Sequence, residues 1–151
     1  MQDDYSNIYR NSRRTAGLTQ ERWAEALGIS VDAVRQYETG QIMPSDEVVR
    51  RMIEVSTLTA LGYWHLCNKS RLAADLLPEV ERLPLAQAVV QLLGRMRDFD
   101  RKHHDDDLLV IAEDGRVDPE ELPRFQQIVR DLHGIIQAAL QIDYAEKGDI
   151  V

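Results

Sequence analysis

The chain has 151 residues, 44% apolar and 29% charged, which is enough apolar matter for a core. No apolar run approaches the roughly 20 residues that crossing a bilayer requires. The net charge of −8 argues against a protein that coats nucleic acid by bulk attraction.

The start MQDDYSNIYR lacks the basic-then-apolar order of a secretion signal. Cys67 is the single cysteine, so an internal disulfide is excluded. In its apolar stretch it reads as a buried small hydrophobe in a reducing cytoplasm. The charge is uneven. Residues 1–70 hold 8 Lys/Arg and 9 Asp/Glu, a net of −1, whereas residues 71–151 hold 10 and 17, a net of −7. A near-neutral N-terminal part can still bind DNA if a few donors are well placed, relying on helix N-termini and neutral side chains.

Met1 to Asp4 reads as a frayed end. Tyr5 to Ala16 fits a first helix, with Tyr5, Ile8, Tyr9 and Ala16 at helical spacing and Gly17 closing it. Thr19 is an N-cap for a second helix whose inward stripe is Trp23, Ala24 and Leu27. Gly28 supplies the positive φ of a tight turn, Ile29 plugs the turn from the core side, and Ser30 caps a third helix. In that helix Val34 and Tyr37 point inward, which leaves Val31, Asp32, Arg35 and Gln36 outward. Gly40 ends it. Ser45, after Pro44, caps a fourth helix with the stripe Val48, Val49, Met52 and Ile53. A fifth runs from about Leu58 to Asn68 with Leu58, Leu61, Trp64, Leu66 and Cys67.

Pro78 and Pro84 interrupt the next stretch, so residues 71–84 read as a linker between a domain at 1–70 and one at 85–151. Helical spacing resumes at Leu85, Val89, Leu92, Met96 and Phe99. The run His103 to Asp107 breaks it, and a short helix spans about Asp106 to Glu113. Five consecutive His and Asp residues do not converge on one ion, so they read as a solvated acidic connection. Glu113 to Asp118 lacks calcium-loop spacing and reads as a turn plus cap. Asp118-Pro119-Glu120-Glu121 reads as a helix start. The final helix then runs to about Tyr144, roughly 38 Å. Its apolar stripe is Leu122, Phe125, Ile128, Val129, Leu132, Ile135, Ile136 and Leu140. That stripe serves either as the core of a monomer or as a dimer seam. The seam is the expectation, because a single reading head binds weakly and two-fold symmetry pairs heads at half-sites about 34 Å apart.

The text RxxGLTQERWAEALGIS…VRQYETG…P, over residues 8 to about 67, resembles the lambda-repressor-like (Cro/CI, XRE) helix-turn-helix family. The acidic C-terminal half resembles, loosely, helical extensions of phage and mobile-element regulators. The resemblance implies an all-α fold: a five-helix DNA-binding domain followed by a helical dimerisation domain. It implies a transcriptional regulator, a repressor, acting on double-stranded DNA in the cytoplasm of a bacterium, with no cofactor and no membrane. Val31, Asp32 and Gln36 match base-reading positions, with Arg35 beside them. Gln20 matches a residue that bonds a phosphate and props the reading helix. Thr39 and Gln41 match backbone-contacting positions, and the N-caps Thr19 and Ser30 join them. Arg13 and Glu38 match an internal ion pair. Two positions depart from the pattern: Trp23 stands where Leu is usual, and Asp32 where a donor is. An ionised Asp only accepts, so it meets cytosine N4 or orders Arg35 or Gln36.

Catalysis is not expected. Self-cleaving repressors of this kind carry a strand-rich Ser/Lys domain, and this chain has no serine after residue 70. A second class of function stays open, that of a protein-interaction module or antitoxin whose acidic half binds a protein partner.

Overall fold

The structure is a computed structural model and describes residues 7–147. The helical start expected at Tyr5 lies outside the described residues, as do Met1 to Asp4. The chain forms two compact units, Met1–Leu77 and Pro78–Val151. The all-α expectation holds: among the described residues the only β feature is an isolated parallel bridge of Pro84 with Glu146. No described helix is long and apolar enough to cross a membrane.

The N-terminal unit contains α1 (Ile8–Thr15), α2 (Gln20–Leu27), α3 (Val31–Glu38), α4 (Asp46–Ser56), α5 (Ala60–Lys69) and α6 (Arg71–Leu76). Side-chain caps set most of the starts. Asn7, Thr19, Ser30, Ser45 and Ser70 each accept from the backbone N–H three residues on. Trp23, Leu27, Val34, Met52 and Leu61 fill the core, none more than 1% exposed. Each such burial contributes about 1.5–3 kcal/mol.

Three local expectations change here. Leu66 is exposed and His65 takes the inward position. α5 begins at Ala60, so Leu61 and His65, four apart, share the buried face and Leu66 is turned off it. The buried imidazole is satisfied at both nitrogens: Nδ1 is hydrogen-bonded with the Tyr9 hydroxyl (2.8 Å) and Nε2 with Asp46 (3.1 Å), which also receives Lys69. Cys67 is half-buried, and burial pushes its thiol pKa up. The segment read as a linker holds α6, in the first unit, and then an extended stretch in which Val80 is buried. Leu72 and Leu76 of α6 are exposed, so this helix carries no inward stripe to announce it.

The C-terminal unit contains α7 (Leu85–Arg101), α8 (His104–Ile111) and α9 (Leu122–Asp143). α7 and α9 run antiparallel. Leu85 N–H meets the carbonyl of Glu146 at one end, and Arg124 reaches the carbonyl of Lys102 at the other. Ala88 and Ala138, both fully buried, allow the helices to approach closely. Arg95 lies across Gly134: an added Cβ would sit 2.5 Å from the guanidinium, the mobile end of a side chain that would have to move aside.

α8 starts earlier than expected, directly after a break at His103 (φ 56°). His104 is therefore not part of a solvated connection. It is fully buried, edge-on to Phe99, with Nε2 at 2.8 Å from Asp131. α9 starts later, at Leu122. Glu121 still reaches back to the Asp118 N–H (3.0 Å), as a helix start requires. A helix running from Pro119 would place Pro123, which has no N–H, in its interior, so Pro123 confines the start to its own first turn. Ile128 is fully buried inside its own unit and is core rather than seam. Phe125, Val129, Leu132, Ile135 and Leu140 are half-buried, and only Leu122 and Ile136 of the stripe are exposed.

Lys102 and His104 hydrogen-bond to Asp131 and hold its carboxyl at about 2, from an ordinary 3.8. A depressed carboxyl contributes stability that is full above its unfolded pKa and is lost as pH falls through the folded one. Asp131→Asn is accordingly expected to destabilise the protein by about 1–3 kcal/mol at neutral pH, because His104 loses its charged acceptor. Thermal unfolding from pH 7 to pH 2 checks this: the gap between the proteins should close toward pH 2.

Candidate DNA-reading surface

The site is built by the α2–turn–α3 unit. Gly28 adopts φ 65° and closes α2, with Ile29 N–H returning to the Ala24 carbonyl. Arg51 of α4 donates to the Leu27 carbonyl (2.7 Å), which satisfies another free acceptor at that helix end. Sequence spacing carried no sign of this contact. Ser30 then caps α3 through the Ala33 N–H (3.1 Å).

Behind α3 lies a buried charge cluster. Glu38, 3% exposed, receives Arg13 in two-pronged fashion, Nε to Oε1 at 2.5 Å and Nη2 to Oε2 at 3.1 Å. Arg13 also donates to the Leu18 carbonyl. The Gln20 amide donates to Glu38 Oε2 (2.9 Å). Arg10, 3.6 Å from the carboxylate, donates to the Glu38 carbonyl. Burial alone would raise the Glu38 pKa, but the hydrogen bonds from Arg13 and Gln20 outweigh it and hold the carboxyl below its ordinary value. The Arg13–Glu38 pair matches the sequence expectation. The inclusion of Gln20 and Arg10 does not follow from it. Gln20 props the reading helix here, its amide turned to Glu38.

In front, Asp32, Arg35, Gln36, Thr39 and Gln41 line one shallow concavity. These are five of the residues singled out from the sequence, brought onto one surface by one turn of helix and the residues that follow it. Val31, half-buried, is not among them. Arg35 is paired with Asp32 at 3.1 Å, both largely exposed. Asp32 thus orders Arg35, one of the two roles open to an acceptor at that position. The Thr39 hydroxyl donates to the Arg35 carbonyl (2.8 Å), so toward a phosphate its hydrogen must first be released. Gln41 is exposed. At the start of α2 the Thr19 oxygen accepts from Arg22 N–H. Hydrogen bonds from the Glu21 N–H and the Thr19 hydroxyl lower the Glu21 carboxylate pKa. That carboxylate occupies a helix N-terminus where an anion is favoured.

Residues 10–60 match the model of a family described as a helix-turn-helix domain. The match covers α1 to α4 and the start of α5, about a third of the chain. No curated protein and no solved structure matches the chain. The chain is therefore all-helical with an N-terminal helix-turn-helix domain, and DNA-binding regulation is the class of function that this domain supports.

Removing the Glu38 carboxylate leaves Arg13, itself only 15% exposed, without a counter-charge and with the Leu18 carbonyl as its remaining acceptor. Glu38→Ala is expected to cost about 3 kcal/mol, the lower end for breaking a buried pair because Arg13 can reach water. Chemical denaturation checks the size. In the wild type this contribution is present above the ordinary carboxylate pKa of about 4.3 and is lost as pH falls below it.

Proposed function

We propose that this chain is a sequence-specific transcriptional regulator of the lambda-repressor-like kind. It acts as a repressor on a palindromic operator, as a homodimer joined through its C-terminal helices, in the manner of phage and mobile-element regulators. One observation carries the reading: Asp32, Arg35, Gln36, Thr39 and Gln41 share one open concavity on a helix fixed from behind by a buried ion pair. An α-helix fits the major groove, and its exposed side chains meet base edges there.

The roles follow from donor and acceptor chemistry. Gln36 offers the paired donor and acceptor that match adenine N7 and N6. Arg35, held by Asp32, presents parallel N–H groups suited to guanine or a phosphate. Val31 meets a thymine methyl. Thr19, Ser30, Thr39 and Gln41 flank these and face the sugar-phosphate backbone, while Gln20 supports α3 from behind through Glu38. Positive charge is scarce, so positioning depends on neutral donors and helix N-termini.

Gln36→Ala should lower discrimination at one base pair by about 1–3 kcal/mol. Arg35→Ala should relax preference at a neighbouring position or weaken all sequences equally. Titration of the protein against its own upstream DNA and single-base variants checks both. Unchanged sequence preference in both variants would remove α3 as the reading helix.

Glu21 supplies a second measurement. Its carboxylate lies where a phosphate would approach the start of α2, so Glu21→Gln should tighten binding about two- to fivefold. The gain should shrink as salt rises.

A further inference from the structure

Arg35 has two carboxylates for neighbours, and together they decide what it can bind. Asp32, one turn earlier on α3, accepts from its Nη1 at 3.1 Å. That bond takes one of the five N–H groups that a guanidinium carries. Among the described residues Nε and Nη2 have no hydrogen bond, and the side chain is 58% exposed. Glu21, at the start of α2, is the second carboxylate. Its pKa is lowered by hydrogen bonds from its own N–H and from Thr19 and, after these, by the charge of Arg35. The concavity that Arg35 and Asp32 line is completed by the neutral side chains of Gln36, Thr39 and Gln41. Arg35 is thus the single cation among those lining residues, with an anion beside it on α3 and another on α2.

A phosphate carries a full negative charge and meets both carboxylates as it nears Arg35. A guanine edge carries no net charge for them to repel. Its N7 and O6 are paired acceptors that match the guanidinium fork. Repulsion of one partner in favour of another is a common source of specificity. We infer that Asp32 and Glu21 reserve Arg35 for a guanine in the major groove and keep it off the phosphates. This rests on the reading of α3 as the recognition helix and deepens it. Asp32 is then a positioning residue, which aims the fork in the free protein and repels the competing anion. The half-site accordingly contains a G·C pair as well as the A·T pair assigned to Gln36.

Binding of the full chain to duplexes enriched from a random-sequence pool tests it, titrated at several salt concentrations, with circular dichroism as the control for folding. Arg35→Ala should remove a guanine preference of about fivefold or more at one base pair. It should leave the salt slope of binding to unrelated sequence unchanged. Were Arg35 a phosphate contact, that slope would fall by about 1 and all sequences would weaken alike, which overturns the inference. Asp32→Asn keeps an acceptor and removes the charge. It should tighten binding to unrelated sequence about twofold or more, steepen the slope by about 1 and narrow the guanine preference. Asn can itself pair with adenine, so Asp32→Ala is the second variant and should do the same. No gain on unrelated sequence from either Asp32 variant overturns the inference. So does a preference lost at a different base pair in Asp32→Ala, which would make Asp32 a reader itself. Gln36→Ala on the same duplexes keeps the two readings apart. If it loses discrimination while Arg35→Ala only lowers the slope, α3 stands as the reading helix and the inference falls. If neither alters preference, both fall.

Discussion

The N-terminal unit depends on one buried carboxylate. Glu38 sits at the last residue of α3, 3% exposed, where an unpaired charge would cost several kcal/mol. It is held by Arg13 from α1 and Gln20 from α2, and its backbone carbonyl is held by Arg10. Three helices are thereby tied at one point. The pairing is two-pronged, which fixes angle as well as distance. Arg10 and Arg13 also place positive charge at the C-terminal end of α3, where the helix dipole favours it. The consequence for function is rigidity. α3 cannot rotate without breaking this cluster, and the groove recognition proposed for Asp32, Arg35 and Gln36 tolerates little misplacement.

The same logic explains which features were legible in the sequence. Thr19, Ser30 and Ser45 were readable because an N-cap acts over three residues, and Gly28 because positive φ is a local demand. The Arg13–Glu38 pair is non-local and was reached through resemblance. Gln20 was assigned a role toward DNA and a role toward the helix, and the structure realises the second. Nothing local distinguishes Arg51 capping α2 from any exposed arginine. His104 was hidden by its neighbours. Within a run of His and Asp it looks solvated, and only the meeting of α8 with α9 brings Asp131 to it. At the start of α9 two local signals compete: the cap chemistry of Asp118 points to a helix from Pro119, and Pro123 excludes one. The side chain of Glu121 does accept from the Asp118 N–H, immediately ahead of the helix proper.

The C-terminal stripe shows why periodicity alone does not separate core from interface. A broad apolar face on α9 is what an antiparallel partner within the same unit needs, and α7 provides that partner. Once α9 is spent on α7, the exposed apolar residues are spread over the unit: Leu85, Val90, Leu93 and Met96 on α7, Leu109 and Val110 on α8, and Val117, Leu122 and Ile136 beyond them. Leu85, Val89, Leu92, Met96 and Phe99 lie on one face of α7 by helical spacing, and along it Val89, Leu92 and Phe99 are half-buried while Leu85 and Met96 are exposed. Only burial separates the inward and outward positions of α7: Ala88 inward, Val90 outward.

Low positive charge has a consequence for specificity as well as affinity. Attraction to phosphates is independent of sequence, so a head with a net of about −1 over residues 1–70 gains little from non-cognate DNA. The difference between cognate and non-cognate sites then falls on a few base-edge contacts, each about 1–3 kcal/mol. Under the proposed function, one head of this kind discriminates but does not hold. Joining two heads makes the second contact intramolecular and multiplies the discrimination without adding charge. The Asp32–Arg35 pair fits that economy. An exposed pair at this spacing is worth only a few tenths of a kcal/mol, so Arg35 is pre-oriented in the free protein, and under the proposed function its release to a better acceptor on a base costs little.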